Sequence, residues 1–182
     1  SGASKMPSVI LPRKAVGELR KLLDDYDGDV SVGLAETRAE FGFGAVRLTS
    51  KLIDGTFPDY TRVIPAGNDR IMQVDAASFS AAVDRVSTIS SEKSRSVKMG
   101  LKPGVLTLSA SNTDASSATE ELEVTYDGPE MDIGFNARYL LDIAGQVNND
   151  IVEFALADQG SPSLVRAPGD DSSLFVLMPM RV

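Results

Sequence analysis

One pattern occurs three times in this sequence and limits its possible folds more than any other feature. Val16, Leu19, Leu22 and Leu23 fall on one face of a predicted helix. Phe79, Ala82, Val83 and Val86 form a second stripe, and Leu140, Ile143, Ala144 and Val147 a third. The last two are strict i, i+3, i+4, i+7 sets, the spacing of an amphipathic helix packed on a core. The stripes begin at Val16, Phe79 and Leu140, so the period is about sixty residues.

The flanks repeat as well. An extended run is predicted before each helix: Val9 to Leu11, Ile71 to Val74 and Met131 to Phe135. Alternating or apolar runs follow each helix, bounded by Gly, Asp, Asn or Pro. They are Val30–Leu34, Arg38–Phe43 and Val46–Ile53, then Val97–Leu101, Val105–Ala110 and Leu122–Tyr126, then Ile151–Leu156, Leu164–Arg166 and Leu174–Met180. Gly28, Gly104 and Gly128 sit where turns are needed. Strand, helix and three strands, taken three times, give an α+β fold with helices on one face of each sheet. Thr56 to Asn68, with Pro58, Pro65 and Gly67, reads as the linker. A half domain is therefore expected at 5–64 and a full domain at 65–182.

The chain contains neither Cys nor His, which removes disulfides, thiol chemistry, the commonest general base and the commonest metal ligand. Gly42 and Gly44 lie between strand-like runs with no Gly-Lys-Ser/Thr after them, so no phosphate loop is present. Asp24, Asp25, Asp27 and Asp29 read as a solvated turn, and Glu120–Glu121 and Asp170–Asp171 as polar edges. No active site, metal or cofactor is expected. No apolar run reaches the roughly 20 residues of a membrane helix. The opening Ser1-Gly2-Ala3-Ser4 is not expected to be a natural N-terminus.

The net charge of −8 argues against nucleic-acid binding over the whole surface, yet Arg13, Lys14, Arg20 and Lys21 lie off the apolar stripe of the first helix. Arg85 lies outside the second stripe. A row of such faces can hold a phosphate backbone without reading sequence; the plainer reading is a solvated helix face. Two apolar segments look exposed, Phe57 to Pro65 and the chain end Val176 to Val182. The Met-Pro-Met end suits an adaptable groove for peptides, although a last core strand accounts for part of it.

Four blocks carry a resemblance to a known family. Ser50-Lys51-Leu52-Ile53-Asp54-Gly55-Thr56-Phe57-Pro58-Asp59-Tyr60 is similar to a junction of the bacterial beta sliding clamp family, and Glu123-Val124-Thr125-Tyr126-Asp127-Gly128 resembles a second block. Ile133-Gly134-Phe135-Asn136 with Tyr139-Leu140-Leu141-Asp142 resembles a third, and Val176 to Val182 the C-terminal end. The resemblance implies a DNA-clamp fold of paired β-α-β-β-β units, with the second half of a middle domain and a complete last domain in this chain. It implies a non-catalytic, cytoplasmic processivity factor that, as a homodimeric ring, encircles duplex DNA without reading its sequence. The first domain and half of the second are missing, so a ring is not expected from this chain alone.

The resemblance also assigns residues. A pocket for short peptide motifs of DNA polymerases, the clamp loader and repair proteins would use Pro58, Arg62, Val63, Asn136 and Tyr139. Gly160 and Pro162 would flank it, and Val176, Leu177, Met178, Pro179, Met180 and Arg181 would form its floor. Part of its wall belongs to the missing half domain, so weakened peptide affinity is expected. Arg13, Lys14, Arg20, Lys21 and Arg85 would face DNA, and the ring interface would map near Thr88 and Ile89. Two other classes are weighed against this: an enzyme using carboxylate or Lys chemistry, and an interaction domain with no DNA role.

Overall fold

The computed structural model describes residues 6–90, 95–112, 116–147 and 149–181, so Ser1 to Lys5 and Val182 lie outside the described residues. The chain divides into two compact units, Ser1–Pro58 and Asp59–Val182.

The first unit holds helix α1 (Arg13–Leu23) and strands β1 (Ser31–Leu34), β2 (Arg38–Phe43) and β3 (Val46–Lys51). The strands form an antiparallel meander in the order β1-β2-β3. Alternation along β2 buries Ala39, Phe41 and Phe43, and Leu19 and Leu23 of α1 pack on them with Leu11, Leu34 and Leu48. No residue of α1 is fully buried, so this core is one-sided. Val9 to Leu11, expected as a strand, lies outside any strand. Its one ladder-like contact is the Ile53 amide donating to the Ile10 carbonyl at 2.9 Å.

The second unit opens with a 3-10 turn at Tyr60–Val63. It continues with β4 (Arg70–Asp75), α2 (Ala76–Ser87), β5 (Ser96–Lys102), β6 (Val105–Ser111), β7 (Ser117–Glu123), β8 (Met131–Asn136), α3 (Ala137–Ala144), β9 (Ile151–Leu156), β10 (Ser163–Arg166) and β11 (Phe175–Leu177). The two complete repeats exchange their opening strands. β4 pairs with β9 in the sheet β11-β10-β9-β4, and β8 pairs with β5 in the sheet β7-β6-β5-β8. Isolated bridges, Gln73 to Thr125 and Gly134 to Met180, keep each opening strand tied to its own repeat.

The second stripe packs as its periodicity demands, with Phe79, Ala82, Val83 and Val86 buried. Of the third, Leu140, Ile143 and Ala144 are buried, while Val147 lies just past the end of α3 and is half-buried against the same core. They join one core with residues from both sheets. Phe79 meets Phe154 of β9 edge-on, ring centroids 5.4 Å apart, which ties α2 to the other repeat's strand and is worth about 1 kcal/mol beyond burial. Full burial of each such side chain contributes about 2–3 kcal/mol. The β5–β6 hairpin turns through Pro103-Gly104, with Gly104 at φ 76°, as a type II turn requires.

The last strand is shorter than its expected run, and another lies elsewhere along the chain. The run Leu122–Tyr126 was expected; the strand is Ser117–Glu123. Its half-buried positions are Ala118, Glu120 and Leu122, and the carboxylate among them hides the alternation. Glu120 is no idle polar edge, because Arg85 of α2 donates to it from Nε at 3.0 Å and again from Nη2.

Candidate functional site

The C-terminal strand β11 buries Leu177, while the next residue, Met178, is 63% exposed. Alternation alone produces this pair, since successive side chains of a strand point to opposite faces. Across from it, α3 exposes Tyr139 at 57%. Asn136 starts that helix as its N-cap, its side-chain oxygen accepting from the Arg138 amide at 3.0 Å. The cap fixes the first turn and hence where Tyr139 stands. Tyr139, Asp142 and Ile143 on α3 and Leu174 to Met178 line an open groove of about 520 Å³. Asp142 is the one charged residue in this lining. Arg138 lies 4.0 Å from it, one turn back.

Gly160, Pro179, Met180 and Arg181 line a second groove with Gln159, the Lys98–Asp132 ion pair and Gly134. The Met180 amide donates to the Gly134 carbonyl at 2.7 Å, so the chain end is anchored to β8 after Met178. Asp158 shapes the flanking loop by accepting from the Ser161 hydroxyl at 2.7 Å and from the Gly160 and Ser161 amides at 2.8 Å. Those bonds hold its carboxyl below the ordinary range. Asn68 donates to the carbonyls of Ala155 and Pro162, both at 2.8 Å, pinning the loop to β9.

The predicted pocket residues thus separate. Tyr139, Val176, Leu177 and Met178 come together in the apolar groove; Gly160, Pro179, Met180 and Arg181 come together in the second. Asn136 acts as a cap, and Pro162 as the acceptor for Asn68. Arg62 and the exposed Val63 sit on the 3-10 turn, where Asp59 accepts from the Thr61 hydroxyl and amide and from Arg62. Pro58 closes the first unit. Sequence reasoning missed Asp142, Ile143, Leu174 and Phe175. The i, i+4 spacing of Tyr139 and Ile143 was the available signal.

Arg13, Lys14, Arg20 and Lys21 are all exposed on α1, with Lys21 3.2 Å from Glu18. Arg85 is engaged by Glu120. Thr88 is exposed and its hydroxyl donates to the Asp84 carbonyl at 3.1 Å, while Ile89 is half-buried just past α2. Among the described residues no group of three His, Cys, Asp or Glu is placed to hold a metal ion, and no helix is long and apolar enough to cross a membrane.

Comparison with known proteins agrees along the whole chain. Residues 61–181 match the family DNA polymerase III beta subunit, C-terminal domain, and residues 1–59 match its central domain. The chain is 51% identical over 181 residues to the beta sliding clamp of Caulobacter vibrioides, covering 100% of this chain and 49% of that protein. It is 37% identical to the Escherichia coli beta sliding clamp, covering 96% of this chain and 48% of that protein. The crystal structure of the Bartonella birtlesii sliding clamp bound to griselimycin superposes with a TM-score of 0.94 at 54% identity, over 100% of this chain and 49% of that one. The Caulobacter crescentus clamp with polyethylene glycol bound to a putative beta-motif tethering region gives 0.95 at 50% identity, with the same coverage. The chain spans about half the length of these relatives, and it belongs to the DNA polymerase III beta subunit family, the bacterial beta sliding clamps.

Proposed function

We propose that this chain is the partner-docking part of a replicative sliding clamp: a non-catalytic, cytoplasmic processivity factor whose full-length homodimeric ring encircles duplex DNA. One observation carries the docking role, the exposed Tyr139 and Met178 standing over the buried Leu177 in an apolar groove. Met repacks easily and Tyr offers a rigid apolar face, which suits short peptide segments of varied sequence. DNA polymerases, the clamp loader and repair proteins are the partners proposed for it. Arg62, Val63, Asn136, Gly160, Pro162 and the end Pro179 to Arg181 complete the proposed site. The part of Pro58 rests on the family resemblance.

On this reading the 5–64 segment is the second half of a middle clamp domain and 65–182 the last domain. Arg13, Lys14, Arg20 and Lys21 would meet the phosphate backbone as sequence-independent positioning charges. Arg85 contributes less, since Glu120 already neutralises it. Thr88 and Ile89 lie at the proposed ring interface. The test is a titration of the chain with a polymerase-derived clamp-binding peptide. Saturable binding that is lost in Tyr139→Ala and Met178→Ala supports the docking role. Absence of saturable binding, or binding indifferent to both substitutions, overturns it.

A further inference from the structure

The connection from β10 to β11 runs from Ala167 to Leu174, longer than the roughly two to five residues of a tight hairpin. Bonds inside it fix its shape. The Asp170 amide donates to the Ala167 carbonyl at 3.2 Å, the Asp170 carboxylate accepts from the Ser172 amide at 2.8 Å, and Gly169 turns the chain at φ 75°. A further bond ties the loop to the sheet. Arg166, the last residue of β10, donates from Nη1 to Asp171 Oδ1 in the loop at 3.1 Å and from Nε to Glu153 Oε1 on β9 at 2.9 Å. Glu153 is buried and accepts from Gln73 of β4 at 2.8 Å on its other side, so the guanidinium is itself anchored to the strands beyond its own.

The loop delivers β11. That strand has three residues, and its ladder with β10 has three pairs, Ser163 with Leu177, Leu164 with Val176 and Val165 with Phe175. A slip of one residue would turn Leu177 outward and Met178 inward, and the packing of Phe175 and Leu177 on the core opposes it. A slide of two residues keeps every face, so alternation does not oppose it. Two tethers flank the strand along the chain. The Met180 amide donates to the Gly134 carbonyl after it, and Asp171 accepts from Arg166 before it. All of these groups belong to the one compact unit Asp59–Val182.

We propose that Arg166 is a positioning residue for peptide docking: anchored on Glu153, it holds Asp171 and so sets where β11 presents Val176 and Met178. This rests on the docking role proposed above for that strand. Neither Arg166 nor Asp171 lines the apolar groove, so the effect on a peptide is transmitted through β11. Lysine is no substitute, because a single ammonium lacks the planar fork that meets two carboxylates at once. The two bonds of Arg166 differ in surroundings. Glu153 is buried, whereas the Asp171 side chain is 90% exposed. Salt therefore screens the hold on the loop and leaves the anchor in place.

Hydrogen exchange of the chain is measured beside a titration with a polymerase-derived clamp-binding peptide. Asp171→Ala is the variant of choice, since it removes an exposed side chain and leaves Glu153 paired with Arg166. At low salt it is expected to speed exchange across Phe175–Leu177 and to weaken peptide binding, each by about three- to fivefold. Exchange across β9 stays at the parent rate. Asp171→Glu restores both properties, and high salt brings the parent to the level of Asp171→Ala. Unchanged exchange across Phe175–Leu177 in Asp171→Ala overturns the proposal. So does equal acceleration in the Ala and Glu variants. A parent chain that binds no peptide while its exchange responds as described overturns the docking role and supports the hold of Arg166 on β11.

Discussion

Arg166 Nε donates to Glu153 Oε1 at 2.9 Å across the directly paired positions of β10 and β9. On the other flank Gln73 of β4 donates to Oε2 at 2.8 Å, so one carboxylate ties three strands. Burial pushes the Glu153 carboxyl upward, but the hydrogen bonds from Gln73 and Arg166 and the Arg166 charge outweigh it and hold the group below its ordinary value. A depressed folded-state value makes the ionised form a source of stability above the unfolded-state value, and that stability disappears as pH falls through the folded-state one. Glu153→Gln is expected to cost about 1–3 kcal/mol at neutral pH. The gap to the parent should close in acid, as chemical denaturation across a pH series would read. A gap independent of pH would rule out the charged form as the source.

Asn136 is the N-cap of α3, the helix that carries Tyr139 to the groove. Asn136→Ala leaves the Arg138 amide without its acceptor and is expected to lower unfolding free energy by about 1 kcal/mol. Asn136→Asp keeps an acceptor and should recover most of that loss. Equal losses in both variants, measured by urea denaturation, would show that capping is not the cause.

Gly128 lies under the ring of Tyr126. A Cβ built there would stand 2.6 Å from the Tyr126 hydroxyl. That hydroxyl donates to the Pro129 carbonyl at 2.7 Å, and the ring is buried. Gly128→Ala must therefore displace a fixed ring, and a loss of about 1–3 kcal/mol is expected. Gly28 has the same relation to Tyr26, with 2.5 Å to the hydroxyl, but Tyr26 is only half-buried and its hydroxyl is held by longer bonds, 3.3 Å to the Asp29 carbonyl and 3.1 Å from the Gly44 amide. Gly28→Ala should cost less, since that ring is less buried and more weakly held. Thermal unfolding of the two variants side by side checks the order.

Periodicity exposed the elements but not their partners. The Phe79 stripe is buried as its spacing requires, as is the Leu140 stripe up to Ala144; β2 begins and ends where its alternation does, and β9 where its apolar run does. The exchange of β4 and β8 between repeats leaves no local mark, because Val74 and Phe135 are equally apolar whichever strand lies opposite. β7 is hidden in the sequence because Glu120 takes a half-buried position among Ala118 and Leu122, where it accepts from Arg85. Tyr139 and Met178 were legible from the family resemblance and the Met-Pro-Met end. Ile143 and Leu174 were not, because an apolar residue that lines a groove looks in sequence like one that fills a core.

The apolar chain end divides between two grooves at Pro179. Met178 lines the groove with Tyr139, whereas Met180 bridges to β8 and Arg181 lines the second groove. If peptide capture is concentrated where apolar surface is open, Met178→Ala should weaken binding of a clamp-binding peptide by about tenfold, the effect of roughly 1.4 kcal/mol. Arg181→Ala should change it less, since an exposed charge outside the groove acts mainly through screened long-range attraction. Raising the salt concentration separates the two further: the Met178 effect persists while the Arg181 effect fades. Fluorescence anisotropy at low and high salt gives all four affinities. An Arg181 effect that exceeds the Met178 effect at high salt would move the docking site to the second groove.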